Sequence, residues 1–253
     1  MDAARMGNTD RMPIAEDSPT LDVLERLSAA TDRMTFDSLL RQLNLPEGVL
    51  RGRLRSLVDR GWVHAEPDDS YTIGVGALRP GSAYLLTDRT VRLAGPLMAQ
   101  LRDRLSEAVR LVRLDPPGIV CIASREAPHD VAGSAVGRRM PAYATASGKA
   151  ILAELPRERV VELLDRGVEA HTSDSVVDRA ALFEELAETR ARGWAYERGQ
   201  FQPGVGCVAA VVPGTADAIS VGVPLARLTD DHATEIAANL IRTTHELGEA
   251  LRR

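Results

Sequence analysis

Residues 19–73 carry three short amphipathic helical patterns followed by two short strand patterns, and this order constrains the fold more than any other feature. Thr35 is a good N-cap for the second helix, and the third helix is predicted over about 46–60. Residues 62–64 and 71–73 have the composition of two paired strands. Three helices and a hairpin within about 55 residues are typical of a winged helix-turn-helix, which we expect over 19–82.

The third helix combines an apolar face with a basic one. The chain has a formal net charge of −5, but residues 41–60 contain five arginines and only two acidic residues. Because guanidinium groups bind phosphates and read guanine, we expect this helix to lie against double-stranded DNA. A solvated helix face without a nucleic-acid role is the alternative. The side chains predicted to point inward are Val49, Leu50, Leu54, Leu57 and Val58. The predicted DNA-binding residues are Arg41, Glu47, Gly48, Arg51, Arg53 and Arg55.

The rest of the chain mixes helical and strand patterns. Leucines recur every four residues in the segment 83–106, which predicts a linker helix with a kink or break near Pro96. Apolar runs flank residues 115–118 as in a hairpin. Strands, helices and hairpins interleave, so residues 107–253 are predicted to form an α+β domain with an antiparallel sheet. The polar residues 1–18 are predicted to be a disordered tail.

Composition excludes several classes of protein. Hydrophobic residues make up 44% of the chain, which suffices for a packed core. Two cysteines cannot form a disulfide framework, and no apolar run reaches the ~18 residues of a membrane span. We therefore expect a soluble cytoplasmic protein without a membrane partner. Aromatic residues make up only 4%, which disfavours single-stranded nucleic acid, and the scattered histidines predict neither a metal site nor a cofactor.

Two segments of the second half have the residue types of a binding site. The sequence Ser147-Gly148-Lys149 lacks the further glycine and the hydroxyl residue of a phosphate loop. It fits a helix start whose free N–H groups favour an anion, or a plain helix start. Cys207 follows a glycine-containing turn and is either a nucleophile or, more commonly for a small thiol, part of a core or pocket wall. The residue types and their spacing therefore predict that the second half of the chain is a binding domain without an evident catalytic site.

Several ordered motifs resemble those of the IclR family of bacterial transcriptional regulators, from about Leu21 to Leu251. The motifs are LNLP at 43–46, LVDRGWV at 57–63, GRRMPAYATASGKAILA at 137–153, RARGWA at 190–195 and PGVGCVAA at 203–210. The resemblance implies a winged helix-turn-helix, a linker helix and a C-terminal domain similar to GAF-type sensor domains.

The same resemblance implies partners and a ligand site. Family members are homodimers, often paired into tetramers, that bind operator DNA and respond to small metabolites. The effector site carried over from the family lies between the sheet and the loop that holds Ser147. Its residues are Met140, Ala146, Ser147, Glu197, Val205, Cys207, Ser220 and Gly222.

The chain departs from the family pattern in both sites. The family's recognition helix usually begins with a basic residue and Ser or Thr, followed by a His-Arg or similar pair. Here these positions hold Glu47, Gly48, Val49, Arg51 and Gly52, which predicts an atypical operator. Glu197 replaces a usual aspartate and Gly222 a frequent serine. Fewer hydroxyls predict an effector that is larger or less polar than a two- or three-carbon keto acid: either an organic acid or a larger, less polar metabolite.

The leading hypothesis is a ligand-responsive transcriptional regulator that is not an enzyme. Whether it represses or activates depends on where the operator lies, which no residue encodes. One alternative is a small-molecule enzyme that uses Cys207 or Glu197 in the same cavity. The other is a sensor or interaction module whose DNA-binding arm has decayed, which Glu47 and Gly52 would favour.

Overall fold

The computed structural model describes residues 19–128, 136–165 and 167–253, so the predicted disordered tail lies outside the described residues. The chain divides into two compact units, one ending at Ala83 and the other running from Tyr84 to Arg253. Each unit has its own hydrophobic core.

The first unit has the predicted order of helices and strands. Thr35 caps the second helix, since its hydroxyl accepts a hydrogen bond from the Ser38 N–H, and Asn44 ends that helix in the left-handed conformation. The three strands form an antiparallel sheet in the order β1-β3-β2. The elements are α1 Pro19–Ala29, β1 Met34–Thr35, α2 Phe36–Leu43, α3 Glu47–Asp59, β2 Val63–Ala65 and β3 Ser70–Ile73.

One side of α3 packs into the core of the first unit. Leu50, Leu54 and Leu57 are buried, as predicted, and Val58 is half-buried. The prediction for Val49 is wrong, because its side chain is exposed. Val49 precedes Leu50 by one residue, so it lies about 100° round the helix from the buried face.

The segment predicted as one linker helix consists of two helices, α4 Leu78–Thr87 and α5 Arg89–Leu105. The break falls at Asp88, whose extended backbone and side chain cap α5 by accepting a hydrogen bond from the Val91 N–H. Pro96 lies inside α5, which continues through it. A local cap, rather than the proline, therefore sets the break.

The second unit is built on a six-stranded antiparallel sheet in the order β6-β5-β4-β9-β8-β7. The predicted hairpin at 115–118 is confirmed, since it joins the first two of these strands. The strands are β4 Ala108–Asp115, β5 Gly118–Arg125, β6 Arg139–Met140, β7 Ala195–Arg198, β8 Val205–Val211 and β9 Asp217–Pro224.

Helices cover both faces of this sheet. On one face, α5 and α9 (Asp230–Arg252) pack against residues such as Val208 and Ile219. On the other face, α6 (Ala146–Glu154), α7 (Arg157–Leu163) and α8 (Arg179–Arg192) pack against Ala209 and Ala218. Helix and strand thus form an α+β fold with an antiparallel sheet, as predicted. Within the described residues, no helix combines the length and the apolar character that crossing a membrane requires.

Candidate functional site

The outer face of α3 is open and nearly flat at its centre. Gly48, Gly52 and Arg55 follow one another at spacings of four and three residues, so they share the side opposite the buried leucines. A Cβ atom added to either glycine would meet nothing within 4 Å. The two glycines therefore leave a strip of bare helix backbone with Arg51 and Arg53 on its two sides.

Arg51 is held by its own unit. Its Nε lies 3.0 Å from Glu47 Oε1, its Nη1 lies 3.7 Å from Asp69 Oδ2, and its guanidinium stacks over Phe36 at 3.9 Å. The hydrogen bond to Glu47 is the main reason that the pKa of Arg51 is raised. Arg51 and Glu47 therefore act as a pair, with most of the positive charge of Arg51 already compensated.

Arg53 and Arg55 carry uncompensated charge on the exposed side of α3. Both are exposed, and neither forms an ion pair with another residue of the described ranges. Arg41, near the end of α2, is exposed as well. These three arginines are therefore available to phosphate, whereas Arg51 is engaged.

The turn between β2 and β3 is acidic and bonded internally. The Ser70 hydroxyl donates a hydrogen bond of 2.6 Å to Asp68, which is the main reason that the pKa of Asp68 is lowered. Glu66 lies 3.8 Å from Arg33. This turn therefore offers no positive charge to a DNA backbone, which leaves α3 as the basic surface of the first unit.

Five of the predicted effector residues lie together on one face of the second unit's sheet. Glu197, Cys207 and Gly222 are aligned across β7, β8 and β9. Ser220 lies two residues from Gly222 and so faces the same side. Val205, at the start of β8, shares that side with Cys207 by the same alternation.

Helix α6 brings two further predicted residues to this face. Ala146 and Ser147 form its first turn and are buried, and the Thr145 hydroxyl caps it by accepting a hydrogen bond from the Gly148 N–H. Gly148 is required there, because a Cβ atom would lie 2.1 Å from the Ala142 carbonyl oxygen. Met140 instead lies on β6, at the opposite edge of the sheet from Glu197.

Glu197 is a buried carboxyl in a hydrogen-bonded network. Burial raises its pKa to about 7, although the Gln200 N–H, the Cys207 thiol and the charge of Lys149 each lower it. Lys149 is itself buried and donates hydrogen bonds to Glu185 and Gln200. The lysine therefore joins α6 to α8 through Glu185, and its positive charge favours the ionised form of Glu197.

The sequence reasoning missed a second buried charge on this face. Arg110 lies in β4, in register with Ser220 of β9, and only 7% of its surface is exposed. The signal available in the sequence was a single arginine within an otherwise apolar run. In the structure, all residues of this run, from Ala108 to Val112, are buried. Recognising its neighbours required the strand register, which the sequence does not contain.

Other features of the second unit lie away from this face. A cleft of about 200 Å³ opens between α6, α7 and α8, and its lining includes Leu152, Phe183 and Arg190 but none of the predicted effector residues. Among residues 19–128, 136–165 and 167–253, no group of three or more metal-binding side chains occurs.

Comparison with known proteins identifies the class to which these features belong. Residues 83–248 match the family model of the bacterial transcriptional regulator IclR C-terminal domain. The transcriptional repressor IclR of Escherichia coli K12 is 29% identical over 236 residues, which cover 90% of this chain and 86% of that protein. The repressor AllR of Klebsiella pneumoniae is 30% identical, with 90% and 87% covered.

Solved structures share the fold at lower sequence identity. An IclR-type regulator from Alicyclobacillus acidocaldarius has a TM-score of 0.80 at 20% identity, covering 92% of this chain and 99% of that one. An IclR homolog from Microbacterium hydrocarbonoxydans, complexed with 4-hydroxybenzoate, has a TM-score of 0.74 at 21% identity, covering 92% and 98%. The chain is thus a transcriptional regulator in class, and it belongs to the IclR family.

Proposed function

We propose that the chain represses transcription by binding operator DNA through α3, and that a small metabolite bound on the sheet face of the second unit changes this binding. The observation that carries the proposal is the surface of α3, where Arg55 on the outer face and Arg53 on the flank of the helix are exposed and form no ion pair within the described residues. The second helix of a helix-turn-helix, here α3, is the element that enters the major groove in such proteins. The named repressors among the relatives support repression.

The proposed DNA contacts differ in kind along α3. Arg41, Arg53 and Arg55 bind phosphate or base edges directly. Glu47 and Arg51 form a pair that orients the start of the helix, while Gly48 and Gly52 let its backbone approach the groove closely. Glu47, Gly48 and Gly52 thus fit a helix whose backbone lies close to the operator, rather than a first unit that has lost DNA binding.

The proposed effector site is formed by residues 84–253. It comprises Glu197, Cys207, Ser220 and Gly222 on the sheet, with the first turn of α6 above them. The 4-hydroxybenzoate complex of the Microbacterium homolog supports a small organic acid as ligand. Binding that favours one arrangement of the regulator shifts its affinity for DNA by the same free energy.

We further propose a cytoplasmic homodimer that can pair into a tetramer. No residue of α4 is buried, and its Leu78 and Leu86 are 65% and 74% exposed. Apolar exposure of this kind marks surfaces that a partner covers. Light scattering of the full chain is expected to give twice the monomer mass, and Leu78→Ser with Leu86→Ser to weaken the association.

Binding of promoter DNA tests the proposal directly. The full chain should retain duplex DNA from the promoter next to its own coding sequence more tightly than a scrambled duplex of equal length. Arg53→Ala with Arg55→Ala should weaken this binding at least 10-fold, because two phosphate or base contacts are lost. Arg159→Ala, on the exposed face of α7, is the matched control and should bind as the wild type does. Equal affinity for promoter and scrambled duplex would refute operator recognition.

A further inference from the structure

Arg110 places a positive charge in the middle of the proposed effector face. It lies in β4, between Ser124 of β5 and Ser220 of β9 in the strand register. Directly opposed residues of antiparallel strands project to the same side, so Arg110 and Ser220 are neighbours. Arg110 is therefore a largely buried cation next to Ser220 on this face.

Gly222 makes room for the Arg110 guanidinium. A Cβ atom built at Gly222 would lie 3.0 Å from Arg110 Nη1 and 3.7 Å from Cys207 Sγ. The guanidinium therefore extends from β4 over β9 towards Cys207, into the space that a side chain at position 222 would fill. A polar group, the guanidinium of Arg110, therefore lies beside the position that Gly222 leaves without a side chain.

Two buried hydroxyl groups accompany this cation. Ser220 and Ser147 are 6% and 5% exposed. A serine hydroxyl can donate a hydrogen bond to a carboxylate. Ser147 also lies in the first turn of α6, where the helix dipole favours negative charge.

We infer that Arg110 is the specificity-determining residue of the effector site and binds the carboxylate of an organic monoacid, in a position that Gly222 keeps open. Ser220 and Ser147 donate hydrogen bonds to the same ligand. This inference rests on the proposed function, in which the sheet face is the effector site. A second carboxylate is disfavoured, because Glu197 stands at the far end of the row formed with Cys207 and Gly222.

Calorimetric titration of the full chain tests this assignment with matched ligands. The probes are benzoate and 4-hydroxybenzoate as monoacids, hexanoate as an aliphatic monoacid, terephthalate as a diacid and benzamide as a neutral analogue. At least one monoacid should bind, and its binding should weaken about 10- to 100-fold in Arg110→Gln, the range for a lost hydrogen bond to a charged group. Benzamide and terephthalate should bind at least 10-fold more weakly than benzoate.

Two variants keep the test independent of a folding defect in Arg110→Gln. Arg110→Lys retains the positive charge but lacks the planar guanidinium group, so it should bind the monoacid with intermediate affinity. Gly222→Ser retains the arginine but fills its space, and should also weaken binding of the monoacid. Arg159→Gln on α7 is the control and should bind as the wild type does. Three results would each overturn the inference. They are an unchanged affinity for the monoacid in Arg110→Gln, tighter binding of benzamide than of benzoate, and no binding of any monoacid at about 10 mM.

Promoter binding without ligand separates this inference from the proposed function. Promoter binding is measured without ligand for the wild type and for Arg110→Gln. If neither binds DNA while monoacid binding still depends on Arg110, the DNA-binding function fails and the ligand assignment stands. If both bind DNA while monoacid binding ignores Arg110, the ligand assignment alone fails.

Discussion

Glu197 has a pKa well above the ordinary range of a carboxyl group. A carboxyl whose pKa is raised to about 7 is largely protonated in the folded protein at pH 6, whereas in the unfolded chain it has ionised. The folded state therefore holds a proton that the unfolded state has lost. The free energy of unfolding accordingly falls as the pH rises from 4.5 to about 7, and this contribution is constant above that range.

Glu197→Gln should remove this dependence on pH. Relative to the wild type, the variant should gain about 3 kcal/mol between pH 5 and pH 8, because a neutral amide replaces a carboxyl that must ionise while buried. Urea unfolding at the two pH values measures the difference. Glu162→Gln, an exposed substitution on α7, should leave the wild-type dependence in place. Parallel pH profiles for the wild type and Glu197→Gln would contradict the assignment.

The glycines of the two sites should respond oppositely to alanine. Gly52→Ala should raise the free energy of unfolding by about 1 kcal/mol, since alanine favours a helix and its methyl group meets nothing within 4 Å. Gly148→Ala should lower it, because the new Cβ would lie 2.1 Å from a backbone oxygen of Ala142. Scanning calorimetry of both variants measures this contrast. A loss of stability in Gly52→Ala would mean that its surroundings are not open.

At the scale of single elements, the sequence predicted most helices and strands of both units. Periodicity and caps were sufficient for α2, α3 and the hairpin of β4 and β5, because these signals are local. The break at Asp88 was missed, since an aspartate cap competed with the more conspicuous Pro96. The burial of Arg110 was missed because it depends on a pairing with β9 across more than 100 residues.

A buried ion pair joins β4, β9 and the start of α5. Arg113 donates hydrogen bonds of 2.7 Å from Nε and Nη2 to the two carboxylate oxygens of Asp217, and it also contacts Asp88, the cap of α5. Tyr84 completes the group at 2.8 Å from Arg113 Nη1. Since β9 also carries Ser220 and Gly222, the pair links the proposed effector face to the beginning of α5.

Arg113→Met should lower the free energy of unfolding by about 3 kcal/mol, because it leaves the buried Asp217 without its counter-charge. Adding Asp217→Asn to this variant should restore part of the loss, since the unpaired charge is removed. Urea unfolding of the single and double variants measures the coupling between the two residues. Additive losses would show that the ion pair contributes nothing as a pair.

At the scale of the whole molecule, the chain separates two tasks into two units. The first unit presents a basic helix in a chain whose net charge is negative, so its affinity for DNA depends on local charge. The second unit buries ionisable groups on a sheet face, where they can select a ligand. The ordered sequence motifs were sufficient to predict the family and the fold class. To know which charged residues lie together on the sheet face required the strand register.

The salt dependence of promoter binding tests the central claim most directly. Fluorescence anisotropy of a labelled promoter duplex, measured between about 50 and 200 mM salt, gives the number of phosphates that the protein neutralises. If the outer face of α3 lies on DNA, Arg53→Ala with Arg55→Ala should reduce the slope of log affinity against log salt by about two units where both touch phosphate. An unchanged slope together with unchanged affinity would show that DNA, if bound at all, is bound elsewhere.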